Sequence, residues 1–195
     1  MTGLLTSGPR AFAADQRLYG VVIGVVTDND DPDGQGRVRV SFPWLDGGAE
    51  THWARLVQPY AGAGFGHYFV PEIDSEVLIG FLQGDLRFPY VLGGLYNGVD
   101  LPPFTRGDRD PKVIQTKAGH RILMEDKDGQ QYIEIIDASG ANSVRIDTAE
   151  NKITITASGD IGIEAGGKLT MSGSAGIDIT SPAAVTVAGS TIALN

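Results

Sequence analysis

Three histidines, His52, His67 and His120, are the side chains best suited to hold a transition metal or to move a proton near neutral pH. No two of them stand at the i+2 or i+4 spacing that puts two imidazoles on one strand face or one helix face. They therefore read as separate structural residues, with His120, directly after Gly119, placed for a hydrogen bond at a turn. Glu72, Asp74 and Glu76 are close enough to raise the paired-carboxylate chemistry of glycoside hydrolysis. They sit between two apolar runs, which reads as a solvated acidic turn. Asp28, Asp30, Asp31 and Asp33 offer hard oxygen ligands, but the run lacks the EF-hand spacing and its closing glutamate. GAGFG, residues 62–66, has neither the G-x-G-x-x-G order nor a following helix, so it does not read as a dinucleotide loop. The tripeptide Arg106-Gly107-Asp108 reads as a charged turn. No catalytic, cofactor-binding or metal-binding residue is expected.

The composition narrows the function classes further. The formal charge of −9 argues against a nucleic-acid surface, which rests on clustered Lys and Arg. Up to residue 110 the chain has eight basic and fourteen acidic residues, so no basic groove is hidden in its first half. The absence of cysteine excludes a disulfide framework and a thiolate zinc site. No run approaches the roughly 18 apolar residues of a membrane-spanning helix. The opening MTGLLTSGPRAFAADQ lacks the basic start and continuous apolar centre of a signal peptide, and reads as an arm able to dock on a neighbour.

The elements of the first half are short strands. YGVVIGVVT (19–27) is apolar and β-branched, and DNDDPDGQG (28–36) follows it as a loop. GRVRVSF alternates, with Val38, Val40 and Phe42 on one face and Arg37, Arg39 and Ser41 on the other. HWARLV (52–57), EVLIGFL (76–82) and FPYVLGGLY (88–96) complete five strands with no helical period between them. That pattern specifies a small, partly open OB-fold barrel. Four segments are expected: an arm at 1–18, the OB-fold domain at 19–98, a polar linker at 99–115, and a spike domain at 116–195.

The second half changes period. Apolar-x-apolar pairs recur at Val144/Ile146, Ile153/Ile155, Ile161/Ile163, Leu169/Met171, Ile177/Ile179, Val185/Val187 and Ile192/Leu194, stepping by nine, eight, eight, eight, eight and seven residues. Residues i and i+2 of a strand share a face, so each pair points one way and its middle residue the other. Glycine, serine and alanine between pairs turn the chain. An octad repeat of this kind specifies a β-solenoid.

A lone chain with three octads per coil completes little more than two coils, too few to bury a continuous core. Three chains wound together close every layer into a triangle and cover the strand edges. The expected architecture is thus all-β: an OB-fold barrel followed by an intertwined triple-stranded β-helix needle in a homotrimer. The fourteen paired residues form the needle's core, and Ile192, Ala193, Leu194 and Asn195 form an open end for a tip protein. At about 4.8 Å per layer, seven octads stack to roughly 30–35 Å.

GRVRVSFPW (36–44), WARL (53–56), AGAGFGHYFVPEIDSEVLIGFLQGD (61–85), PYVLGGLYNG (89–98) and TKAGHRILMEDKDG (116–129) resemble, in order and spacing, the phage baseplate assembly protein V family. That family includes the spike portion of VgrG proteins of type VI secretion. The resemblance implies a structural central spike of a contractile tail or injection machine, puncturing the target envelope on sheath contraction without catalysis. It implies a separate hub protein at the OB-fold side, a PAAR-type tip protein at the far end, and transient contact with the target membrane. It also implies assembly in the bacterial cytoplasm and release with the particle. Two features depart from some family members. The linker is too short for a lysozyme domain, and no histidine follows His120 to form an iron-binding apex. A trimeric tail-spike enzyme acting on host glycans is the alternative, with an OB-fold nucleic-acid binder behind it. The needle's short length and its outward Thr, Ser, Gly and Asp oppose the first, and the acidic barrel opposes the second.

Overall fold

The computed structural model describes residues 17–45, 48–107 and 109–193. Its backbone contacts divide into two units, Met1–Thr105 and Arg106–Asn195.

The first unit is built from β1 (Val22–Asp28), β2 (Arg39–Ser41), β3 (Arg55–Leu56), β4 (Ala61–Gly62), β5 (Phe65–Gly66), β6 (Glu76–Phe81), a 3₁₀ turn at Leu82–Gly84 and β7 (Pro89–Gly94). Five strands are hydrogen-bonded in the order β2-β1-β6-β7-β3, all antiparallel except β3 against β7. The two end strands then meet: Val38 and Ala54 exchange backbone hydrogen bonds of 3.0 and 2.7 Å just outside β2 and β3. That contact closes the sheet into the barrel of an OB fold.

The core follows from strand alternation. Val26, Val38, Val40, Phe42, Ala54, Val77, Ile79 and Val91 point inward and are buried. Gly24 is buried among them, and a Cβ there would collide with Val40 Cγ1, so only glycine lets β1 cross so close to β2. The run 62–66 forms the tip of a β4–β5 hairpin, an element the sequence pattern did not reveal. Gly64 takes φ +79° at that tip, a left-handed conformation that glycine adopts without a Cβ penalty.

The second unit is a five-stranded antiparallel meander of β8 (Pro111–Gln115), β9 (Arg121–Glu125), β10 (Tyr132–Ile136), β11 (Ser143–Asp147) and β12 (Lys152–Thr156). β8 occupies the end of the stretch expected as linker. Residues 157–193 form no assigned strand in the single chain, and residues 158–193 are exposed throughout.

Candidate functional site

The meander register builds its two faces residue by residue. Ile114 lies opposite Ile122, Ile122 opposite Ile135, Ile135 opposite Val144 and Val144 opposite Ile155. A second row runs Lys112, Met124, Ile133, Ile146, Ile153. Nine apolar side chains in two parallel rows thus share one face, and all are 39–69% exposed. A sheet face this apolar is ordinarily covered by another layer. Val144/Ile146 and Ile153/Ile155 are the first two of the paired positions singled out above. Ile161, Ile163, Leu169, Met171, Ile177, Ile179, Val185, Val187 and Ile192 are exposed in the single chain, by 49% to 68%. Ala193 is exposed as well, and Leu194 and Asn195 lie outside the described residues.

The opposite face buries Leu123 and carries a tightly paired polar network. The Glu125 side chain is almost fully buried, yet it accepts hydrogen bonds from Arg109 Nε at 2.7 Å, the Asp110 N–H at 2.7 Å and the Lys127 N–H at 3.2 Å. Burial of a carboxylate is tolerated because its oxygens are satisfied this way. The Arg109 hydrogen bond holds its pKa below the ordinary value against the opposing effect of desolvation. Arg109 Nη2 continues to the Tyr132 hydroxyl at 2.9 Å. Arg145 donates to Asp147 Oδ2 at 2.8 Å and covers the Tyr132 ring. These bonds tie residues 109–110, the approach to β8, onto the meander.

The residues considered for chemistry take structural places. His120 Nδ1 accepts the Ala138 N–H at 3.2 Å across the β9–β10 end of the sheet. His67 packs edge-on to Tyr60, with ring centroids 6.5 Å apart, and His52 is exposed. No group of three or more His, Cys, Asp or Glu able to hold a metal ion occurs among the described residues. Asp74 is the left-handed residue of the turn before β6, at φ 71°, and the Glu76 carboxylate accepts from Asn97 Nδ2. Asp31 is bound by Arg37 through Nε at 2.9 Å and Nη2 at 2.6 Å, and those bonds hold its carboxyl well below the usual range. The aspartate run is a loop stapled to the start of the next strand. Arg106 pairs with Asp110 at 3.6 Å, while Asp108 lies outside the described residues.

Both units are built of β-strands, and the meander presents an uncovered apolar sheet face in the single chain. Residues 22–96, the barrel, match the type VI secretion system/phage-baseplate injector OB domain. The chain is 33% identical over 148 residues to the type VI secretion system spike proteins VgrG2a and VgrG2b of Pseudomonas aeruginosa, covering 74% of this chain. It is 29% identical over 129 residues to the actin cross-linking toxin VgrG1 of Vibrio cholerae, covering 61% of this chain. The barrel is thus similar to an injector OB domain, and the chain to part of VgrG-type spike proteins. The matched stretches span 16%, 13% and 12% of those relatives' own lengths.

Proposed function

We propose that three copies of this chain form the central spike of a contractile tail-like injection machine. In this reading the OB barrels make the platform. The octads wind into an intertwined triple-stranded β-helix needle that sheath contraction drives through the target envelope. The observation that carries it is the double apolar row of the meander, from Ile114 to Ile155 and from Met124 to Ile153, continued in sequence by the octad pairs to Ile192. Burying one such side chain fully is worth about 1.5–3 kcal/mol, and three chains meeting on an axis bury every row three times over. The work is mechanical, and no catalysis is assigned. The activity in the name of the Vibrio relative is not carried over, because the matched stretch is 12% of that protein.

The partners follow from the same reading. A hub protein meets the barrel side. A PAAR-type tip docks on Ile192, Ala193, Leu194 and Asn195, the stretch that carries the seventh apolar pair of the octad series. Assembly takes place in the bacterial cytoplasm, and contact with the target membrane is transient. Light scattering on the purified chain tests the core of the proposal. The expected mass is three times the 20.6 kDa chain, and a monomer at micromolar concentration would overturn it.

A further inference from the structure

The turn that follows β7 holds chemistry that the spike reading does not use. Asn97 stands directly before Gly98, whereas Asn29, Asn142 and Asn151 precede Asp30, Ser143 and Lys152. The Asn97 N–H closes the turn on the Asp100 carbonyl at 3.0 Å, and the Leu95 N–H, just before it, donates to the Glu76 carbonyl at 2.9 Å. The two ends of the Asn97 amide face opposite partners. Oδ1 accepts the Val99 N–H at 2.8 Å and the Asp100 N–H at 2.7 Å. Nδ2 donates to Glu76 Oε2 at 3.3 Å and to Asp100 Oδ2 at 3.4 Å. Donors at one end and carboxylates at the other fix which atom is oxygen and which is nitrogen. Gly98 is exposed, a Cβ on it would meet nothing within 4 Å, and its N–H has no acceptor among the described residues.

We propose that Asn97 is a site of self-catalysed deamidation, with the Gly98 nitrogen as nucleophile and the Val99 and Asp100 N–H groups as its oxyanion donors. The Gly98 N–H gives its proton to hydroxide from solvent, and the nitrogen forms a bond to Asn97 Cγ. The Cγ–Oδ1 double bond opens and its electron pair moves to Oδ1, where the two N–H groups already stand at the distance such donors need. The intermediate collapses to a succinimide ring and expels Nδ2, which takes a proton from water and leaves as ammonia, so the hydroxide is regenerated. Water then adds to one of the two imide carbonyls and opens the ring to aspartate or isoaspartate. Nothing is oxidised or reduced. Attack between adjacent residues needs no encounter, and glycine leaves the nitrogen unhindered and the backbone free to rotate into line. The product does not fit its surroundings. A carboxylate at position 97 has no N–H to give Glu76 and Asp100, and three negative groups then meet. Isoaspartate also lengthens the backbone by a methylene and pulls the Asn97 N–H out of line with the Asp100 carbonyl. The barrel thus carries an ageing mark directly after β7, one that adds negative charge with time.

The test incubates the full chain at mildly alkaline pH, both folded and in urea, and maps isoaspartate with an isoaspartyl methyltransferase and peptide mass spectrometry. The proposal expects conversion at Asn97 well ahead of Asn29, Asn142 and Asn151, rising with pH, and at least as fast in the folded chain as in urea. Gly98→Ala should slow it. Val99→Pro, which removes one donor, should slow it by about tenfold, less than such a donor is worth in a water-excluded active site. Asn97→Asp, which installs the product carboxylate, should lower the urea midpoint followed by tryptophan fluorescence. A folded chain that keeps Asn97 intact while the chain in urea converts would overturn the proposal, and that comparison uses the native chain, so it stands whether or not Val99→Pro folds. Equal conversion at Asn142, or an unchanged midpoint for Asn97→Asp, would count against it equally.

Discussion

The guanidinium carbon of Arg145 lies 3.6 Å from the centre of the Tyr132 ring, a diagonal contact between neighbouring strands β11 and β10. It sits in the paired polar network of the meander, directly behind the uncovered apolar rows. The same ring offers its hydroxyl to Arg109, so one tyrosine links the approach to β8 with the sheet interior. Arg145→Met keeps most of the stem's packing and removes the charge. A partly exposed cation–π contact is worth about 0.5–1 kcal/mol, and the hydrogen bonds to Asp147 are lost with it. The expected outcome is a lower guanidinium chloride midpoint with the slope unchanged, while Arg145→Lys restores only part of the loss because lysine cannot reproduce the planar contact.

Acid should loosen the β10–β11 turn. Asp137 accepts from Ser139 Oγ at 2.8 and 2.9 Å and from Asn142 Nδ2 at 2.8 Å, and these bonds bring its pKa down to about 2. A depressed folded-state pKa stabilises the fold above the unfolded value near 3.9, and that contribution disappears as pH falls towards 2. Thermal midpoints of the native chain should therefore drop between about pH 4 and pH 2. Asp137→Asn should start lower at neutral pH and show a flatter dependence across that window. Parallel curves for the two proteins would contradict the assignment.

The barrel core has its own test in Ile79, fully buried between Val22 on β1 and Val91 on β7. Ile79→Ala leaves a cavity and should cost about 2–5 kcal/mol, whereas Ile79→Val should cost about 0.5–1.5 kcal/mol. Urea unfolding followed by tryptophan fluorescence measures both, since Trp44 and Trp53 stand in the same unit.

Assembly through the apolar rows distinguishes inward from outward positions. Ile146→Asp on the meander and Ile163→Asp in the octads should each leave chains monomeric, because three carboxylates would meet in an apolar interior. Glu164→Lys, out of phase with its pair, should assemble as the native chain does. Analytical ultracentrifugation reads all three. Equal assembly of Ile163→Asp and Glu164→Lys would reverse the register.

The alternation of Val38, Val40 and Phe42 was legible from residue types alone, and all three are 0–3% exposed. The barrel was legible because its strands alternate against a single buried face. The β4–β5 hairpin was not, since Ala61, Gly62, Phe65 and Gly66 carry no alternation and the turn rests on glycine dihedrals. The meander was not legible as such, because the series of apolar pairs was read from Val144 onward. Ile122/Met124 and Ile133/Ile135 are the same apolar-x-apolar pairs as those further on, but they step by eleven residues rather than eight. The longer step is taken up by turns such as Asp137–Asn142, closed by the Asp137 side chain, and a period search does not register such a turn. The network of Arg109, Glu125 and Tyr132 was invisible for a different reason: its members are scattered in sequence and meet only through strand register.

The parallel contact of β3 with β7 also sets an order of events for a chain leaving the ribosome. Arg55 and Leu56 have no sheet partner until Tyr90 and Val91 arrive, because β7 stands between β6 and β3. Every earlier strand pair is antiparallel and can form as its residues emerge, yet the wall of the barrel stays open along β3. Val91, one of the buried core residues, comes in with that last strand. A fragment that stops before Pro89 thus retains nearly every residue of the barrel and lacks the one strand that shuts it, leaving an unpaired β6 edge and the cavity side of Ile79 facing water. Nascent-chain stalling and protease sensitivity should change together as β7 clears the exit tunnel.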